Sequence, residues 1–211
     1  MSIRLKNKEE LRQKIFTMEQ LENKKFSAEE YFGNLNSVVL DAGCGKGEFL
    51  LDHAKMNPQL NYIGVDYSWK KCLFSQKKMH LNELENVIII RAAFEEIFHS
   101  FFDADTFIRI HMNFPDPWPK TKHHKRRSLQ TGLVAEFVRM LKPQGNFYFV
   151  TDSSDYANYA YPIIEANSAL KNMLVDTKIA NELEGYFRTL FCNKAEERGE
   201  KINYIWFQKK Q

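Results

Sequence analysis

One stretch, Ser37-Val38-Val39-Leu40-Asp41-Ala42-Gly43-Cys44-Gly45-Lys46-Gly47, restricts what this chain can fold into more than any other. An apolar run that ends in an acid and then in alternating glycines reads as a buried parallel strand entering a tight turn. Glycine adopts backbone angles that other residues avoid, and its bare backbone lets a ligand come close. Further apolar runs follow at 62–66, 87–90, 106–110 and 146–151. Between them lie helix-like stretches at about 46–57, 68–82 and 128–141. In the last, Leu129, Leu133, Phe137, Met140 and Leu141 keep helical spacing until Lys142-Pro143 stops it. Strands alternating with helices predict right-handed βαβ units and a parallel sheet.

Near the C-terminus, 185–191 and 202–207 read as two strands joined by a polar loop. The expected fold is therefore α/β: a doubly wound, seven-stranded, mostly parallel sheet closed by a C-terminal antiparallel hairpin. Residues 1–35 are charged and are expected to form a helical extension, with Phe16, Met18, Leu21 and Phe26 free to dock on a core. Residues 36–211 are expected to form one domain, which suits a chain of 211 residues.

Hydrophobic residues make up 44% and charged residues 27%, the balance of a globular protein rather than a disordered or membrane-embedded one. No run approaches the ~18 apolar residues of a membrane helix, and no signal-peptide core opens the chain. The three cysteines contain no CxxC pair, so neither a disulfide framework nor a metal site is expected, and a reducing cytoplasm is the natural compartment. A net charge of +3 by itself predicts no nucleic-acid partner. The placement of that charge is what matters.

The glycine spacing is GxGxG, whereas dinucleotide binders usually show GxGxxG, and no phosphate-binding lysine pair follows. Asp41 is suited to face the ammonium of a methionine moiety, where a pyrophosphate would be repelled. Asp66 closes the second apolar run about 20 residues after the glycines, where a carboxylate accepts both ribose hydroxyls of an adenosine. Capping the next helix is the structural alternative for Asp66. Together, Asp41, Gly43, Gly45, Gly47 and Asp66 favour S-adenosylmethionine, with a nicotinamide dehydrogenase as the weaker reading.

Asn113-Phe114-Pro115-Asp116-Pro117-Trp118-Pro119-Lys120 follows the fourth run. In doubly wound folds ligands sit beyond the carboxyl ends of the strands, so this loop overlooks the reacting group. Prolines stiffen the backbone around Asp116, and a rigid structural turn is the plain alternative. Lys120, Lys122, His123, His124, Lys125, Arg126 and Arg127 then form the densest block of like charge in the chain. Such clusters hold phosphate backbones by Coulomb attraction and counterion release, although most are solvated faces. Adjacency to the Asp116 loop favours RNA. Trp118 either stacks on a base or packs the loop.

At this point LDAGCGKG, GVDYS, NFPDPWPKTKHHKRR, VTDSSDYA and RTLFCNKAEERG together resemble the bacterial tRNA (guanine-N7)-methyltransferases, from about residue 37 to the end. The resemblance implies the class I methyltransferase variant of the fold, S-adenosylmethionine as methyl donor and tRNA as partner. It implies that Asp41 and Asp66 hold the cofactor and that Ala93, Phe94 and Asn113 lie on its side of the site. Ala93 stands where the family often has Asp or Asn near the adenine, which leaves the Phe94 backbone N–H to pair with the ring. Asp116 falls on the proposed catalytic aspartate. Lys120, Asp152 and Thr189 match substrate-contacting positions, and 122–127 match the stretch that grips RNA. The family pattern would put Lys at 190 and Glu at 192; this chain has Leu190 and Cys192. The implied reaction is methylation of guanine N7, with the variable-loop guanosine as target and a monomer or homodimer as the working form. The alternatives are a methyltransferase for another substrate and a non-catalytic tRNA-binding relative.

Overall fold

The computed structural model describes residues 8–186 and 190–211. In chain order its elements are α1 (Lys8–Gln13), β1 (Ile15–Thr17), α2 (Met18–Leu21), α3 (Ala28–Phe32), β2 (Val38–Ala42), α4 (Glu48–Met56), β3 (Asn61–Asp66), α5 (Trp69–Leu81), β4 (Val87–Arg91), α6 (Phe94–Phe101) and β5 (Phe107–Asn113). A 3-10 turn (Thr121–Arg126) follows, then α7 (Thr131–Met140), β6 (Leu141–Thr151), α8 (Ser154–Glu165), β7 (Leu170–Asn172), α9 (Leu190–Glu197) and β8 (Asn203–Lys209).

The helices start and stop where local chemistry directs. Ser68 Oγ accepts from Lys71 N–H at 3.4 Å and caps α5, and Ser153 Oγ accepts from Tyr156 N–H at 3.2 Å and caps α8. Each satisfies a donor that the first turn leaves orphaned. Met140 is the last helical residue of α7, ahead of Pro143.

The eight strands lie in the order β1-β4-β3-β2-β5-β6-β8-β7. All pairings are parallel except those of β8, which runs antiparallel to both β6 and β7. The order reverses at β2, which pairs with β3 on one side and β5 on the other. That switch point opens a crevice beyond the carboxyl ends of the strands. One face of the sheet packs Ile97, Phe98, Phe137, Tyr156 and Ile164 of α6, α7 and α8 into the larger core. The other packs Phe49, Leu50, Cys72 and Met79 of α4 and α5. A third cluster joins Val150, Cys192, Ala195, Ile202 and Tyr204.

The expected α/β architecture is observed, with two local corrections. The sheet has eight strands rather than seven, because Ile15, fully buried, pairs with Ile89 and brings the N-terminal segment into the sheet. A three-residue strand is too short to show alternation, so its helical surroundings masked it. The N-terminal segment docks through Leu21, buried in the larger core, with Phe16, Met18 and Phe26 packed against it. The expected strand over 185–191 is replaced by a turn at 184–185 and a helix from 190 onward. Cys192 and Ala195 are three apart and both buried, which is the period of a helix. The antiparallel partners of β8 are instead β6 and the short β7.

Candidate active site

The turn after β2 depends on its glycines. Gly43, Gly45 and Gly47 have φ of +86°, +56° and +72°, in the left-handed region. At Gly47 a Cβ would also collide with the Ser75 side chain on α5. Gly43 N–H and Cys44 N–H both donate to Val65 O, at 2.8 and 3.1 Å. Asp66, at the end of β3 and only 4% exposed, ties this turn down. Its Oδ2 accepts from Gly45 N–H at 3.2 Å, its Oδ1 accepts from Ser68 N–H at 2.8 Å, and Lys71 Nζ lies 3.6 Å from Oδ2. Ser68, not Asp66, caps α5.

A cavity of about 200 Å³ opens beyond the carboxyl ends of β2, β3, β4 and β5. Gly43, Asp66, Ala93, Phe94, Asn113 and Asp116 all line it. Six expected site residues from four separate segments thus meet at one wall. Gly45 and Gly47 lie behind that wall and shape the turn. Asp41 lies beneath it, 1% exposed, with Oδ1 lacking any hydrogen-bond partner. Burial pushes its carboxyl up to about 8, and the nearby Asp66 and Glu48 charges add to the shift while the Asn113 amide offsets part of it. Asn113 Nδ2 faces the acid yet completes no hydrogen bond of its own. A buried acid and a buried amide donor, both incompletely satisfied behind a glycine turn, fit a polar ligand group carrying an ammonium and a carboxylate. Asn113 Oδ1 accepts from the Tyr186 hydroxyl at 2.6 Å, a contact that no sequence pattern announces.

Asp116 is exposed, and its carboxylate makes no hydrogen bond or ion pair among the described residues. Its loop is held under strain: Phe114 and Trp118, on either side of Pro115-Asp116-Pro117, have φ of +48° and +44°. Phe114 N–H donates to Val150 O at 2.7 Å, and Phe114 stacks on Phe191 of α9 at 5.5 Å. At the other end Arg127 Nε donates to Pro117 O at 2.9 Å.

Arg127 therefore departs from the expectation of a phosphate contact. It is 2% exposed, bonded through Nη2 to Asp155 Oδ2, with the Tyr156 and Tyr159 rings each 4.8 Å from its guanidinium. Its work is to brace the Asp116 loop from within. Lys120, Lys122, Lys125 and Arg126 are exposed along the 3-10 turn, and His123 is half-buried. Trp118 packs rather than presenting a free face: the Arg126 guanidinium lies 5.0 Å from its ring and His123 meets it edge-on. Asp152 sits apart from the cavity wall and pairs with Arg198 at 3.0 Å. Thr189 lies outside the described residues. Cys192 is buried against Val150 and Tyr204, facing the protein interior. No group of three or more His, Cys, Asp or Glu among the described residues could hold a metal ion, and no described helix is long and apolar enough to cross a membrane.

A doubly wound sheet with a GxGxG turn, an acid closing the next strand and a cavity at the switch point is the arrangement of the S-adenosylmethionine-dependent methyltransferase class. A solved S-adenosylmethionine-dependent methyltransferase from Aquifex aeolicus superposes with a TM-score of 0.57 at 14% identity, over 96% of this chain and 98% of that one. Residues 35–204 match the family described as "Putative methyltransferase". A tRNA (guanine-N(7)-)-methyltransferase of Geobacter metallireducens is 32% identical over 84% of both chains. Its counterpart in Chlamydia abortus is 30% identical over 87% of this chain and 81% of its own. The chain belongs to the tRNA (guanine-N7)-methyltransferase family.

Proposed function

We propose that this protein transfers the methyl group of S-adenosylmethionine to N7 of a guanosine in tRNA. The observation that carries the reading is the unpaired Asp116 carboxylate at the wall of the cavity that Gly43 and Asp66 also line, with the exposed basic turn 120–126 directly after it. S-adenosylmethionine supplies a methyl group on a sulfonium centre. Asp66 has a lone pair left on each oxygen for the ribose hydroxyls, and the backbone at Ala93 and Phe94 takes the adenine edge. Asp41 and Asn113 take the amino-acid end.

Guanine N7 carries a free lone pair, so no proton need leave before it attacks. Positioning and charge placement then supply most of the acceleration. Asp116 orients the base and offsets the positive charge that develops on the purine. Lys120, Lys122, His123, Lys125 and Arg126 grip the phosphate backbone, and Asp152 and Thr189 approach the substrate from the C-terminal side. The target base leaves its stack to reach the cavity, and the variable-loop guanosine is the expected position. The working compartment is the cytoplasm.

The inward-facing Cys192, where the resemblance implies a glutamate, favours one second reading: a relative that binds tRNA without methylating it. Incubation with labelled S-adenosylmethionine and total tRNA, followed by nucleoside analysis, separates the two. Label in 7-methylguanosine is the expected result. Label in another nucleoside, or salt-sensitive tRNA binding with no label, would overturn the proposal.

A further inference from the structure

A second cavity, of about 170 Å³, lies on the α4 side of the sheet, where Arg109, His111, Tyr148 and Trp206 form its floor and Glu184 and Tyr186 its rim. Arg109, His111 and Asn113 alternate along β5 and so share one face. Asn113 reaches the first cavity, whereas Arg109 and His111 reach the second. His111, Tyr148 and Trp206 are opposite one another across β5, β6 and β8. Their rings lie nearly parallel, 10° and 18° apart, at centroid separations of 4.8 and 5.7 Å.

The polar groups here are unfinished. The Arg109 guanidinium makes no hydrogen bond or ion pair among the described residues, and the Glu184 carboxylate makes none either. His111 is 2% exposed, and its Nε2 has no partner. The hydrogen-bond chain fixes which proton is where. Tyr186 donates its only hydroxyl proton to Asn113 Oδ1, so toward His111 Nδ1, 3.2 Å away, its oxygen can only accept. His111 therefore carries its proton on Nδ1. Burial, with help from His53 and Arg109, disfavours the protonated ring, and Nε2, itself closed off from solvent, keeps its lone pair within the floor.

The cavity thus presents a fork of donors from Arg109 and, at its rim, the acceptor oxygens of Glu184. A planar heterocycle with adjacent acceptors on one edge and N–H donors on the next satisfies all of them. We propose that this second cavity binds a 6-oxopurine base: Arg109 donates to its O6 and N7, while the Glu184 carboxylate accepts its ring N–H and amino protons. Arginine reads that O6/N7 edge in nucleic acids for the same geometric reason. Adenine would set its exocyclic donor against the guanidinium. The volume admits the base alone, so ribose and phosphate remain at the exposed mouth. The ligand is then either a free nucleotide or an unstacked base of an RNA strand. The site stands apart from the Asp116 cavity and does not depend on methyl transfer.

Calorimetric titration of the full chain with guanosine 5′-monophosphate, without S-adenosylmethionine, tests it. Saturable one-to-one binding is expected, at least about tenfold tighter than for adenosine 5′-monophosphate, since one mispaired base edge carries about 1–3 kcal/mol. Arg109→Met should weaken it at least tenfold. So should Glu184→Gln, an exposed change that leaves the core intact, whereas Asp116→Asn should leave it unaltered. Single-stranded oligoribonucleotides with one central G or A distinguish the sources: much tighter binding of the G oligomer points to RNA, and binding of the mononucleotide alone points to a free nucleotide. The proposal is overturned if neither guanine ligand binds, if adenine binds equally well, or if Asp116→Asn abolishes binding that Arg109→Met leaves intact.

Discussion

The hydroxyl of Tyr186 donates to Asn113 Oδ1 at 2.6 Å, across the wall between the two cavities. Asn113 lines the first cavity and faces buried Asp41. Tyr186 follows the turn at 184–185 that leads toward the C-terminal substrate motif. One hydrogen bond thus joins the wall of the first cavity to the rim of the second.

Tyr186→Phe removes that bond and little volume. A net hydrogen bond is worth about 1 kcal/mol, so the KM for S-adenosylmethionine should rise roughly fivefold, with kcat and the KM for tRNA within twofold of the parent. Steady-state rates at varied concentrations of each substrate provide the check. A fall in kcat with unchanged KM would remove Tyr186 from the cofactor wall.

Asp116→Ala should lower kcat by about 100-fold, the scale of losing one positioned electrostatic group. S-adenosylmethionine affinity, measured by calorimetry, should stay within twofold, because Asp116 carries no bond that holds the fold. Methylation of tRNA at the parent rate would refute its role.

Arg127 and Lys122 should separate cleanly although both belong to the same basic block. Arg127→Met loses two aromatic contacts and the brace to Pro117, a cost of roughly 2–4 kcal/mol. It should lower the melting temperature and leave the salt dependence of tRNA binding unchanged. Lys122→Ala should leave the melting temperature unchanged and reduce the slope of log affinity against log salt by about 1. The reverse pattern would place Arg127 on the RNA.

Two buried groups set opposing pH trends in the ligand-free protein. Asp41, raised from 3.8 to about 8 by burial, binds its proton more tightly folded than unfolded. Its stabilising contribution is complete below pH 3.8 and is lost as pH rises through 8. His53, lowered from 6.5 to about 4 by burial and Arg109, does the reverse: stability is lost as pH falls from 6.5 through 4. Asp41→Asn should therefore melt above the parent at pH 9, with the difference vanishing near pH 4. An equal gap at both pH values would deny that Asp41 ionisation is the cause.

The sheet and its cofactor turn could be read from the sequence because buried parallel strands are apolar throughout and left-handed turns need glycine, so 38–47 announces itself. Spacing singles out Asp66 and the flanking prolines single out Asp116, and both line the first cavity. Three features could not be read. A basic run shows charge but not direction, so the inward turn of Arg127 was hidden among its outward neighbours. Residues 185–191 mix Tyr, Phe and Leu, which serve a strand or a helix equally, and only the docking of Cys192 and Ala195 beneath β8 decides for helix at 190 onward. Tyr186 and Asn113 stand 73 positions apart, and no local pattern links them.

β7 is made before β8, yet it pairs with the rest of the sheet solely through β8. On the ribosome it must wait unpaired while some thirty later residues emerge, and α9, which lies in that interval, waits with it. The strands flanking the crevice at β2 all precede β7, so that crevice should take shape before the C-terminal edge of the sheet closes.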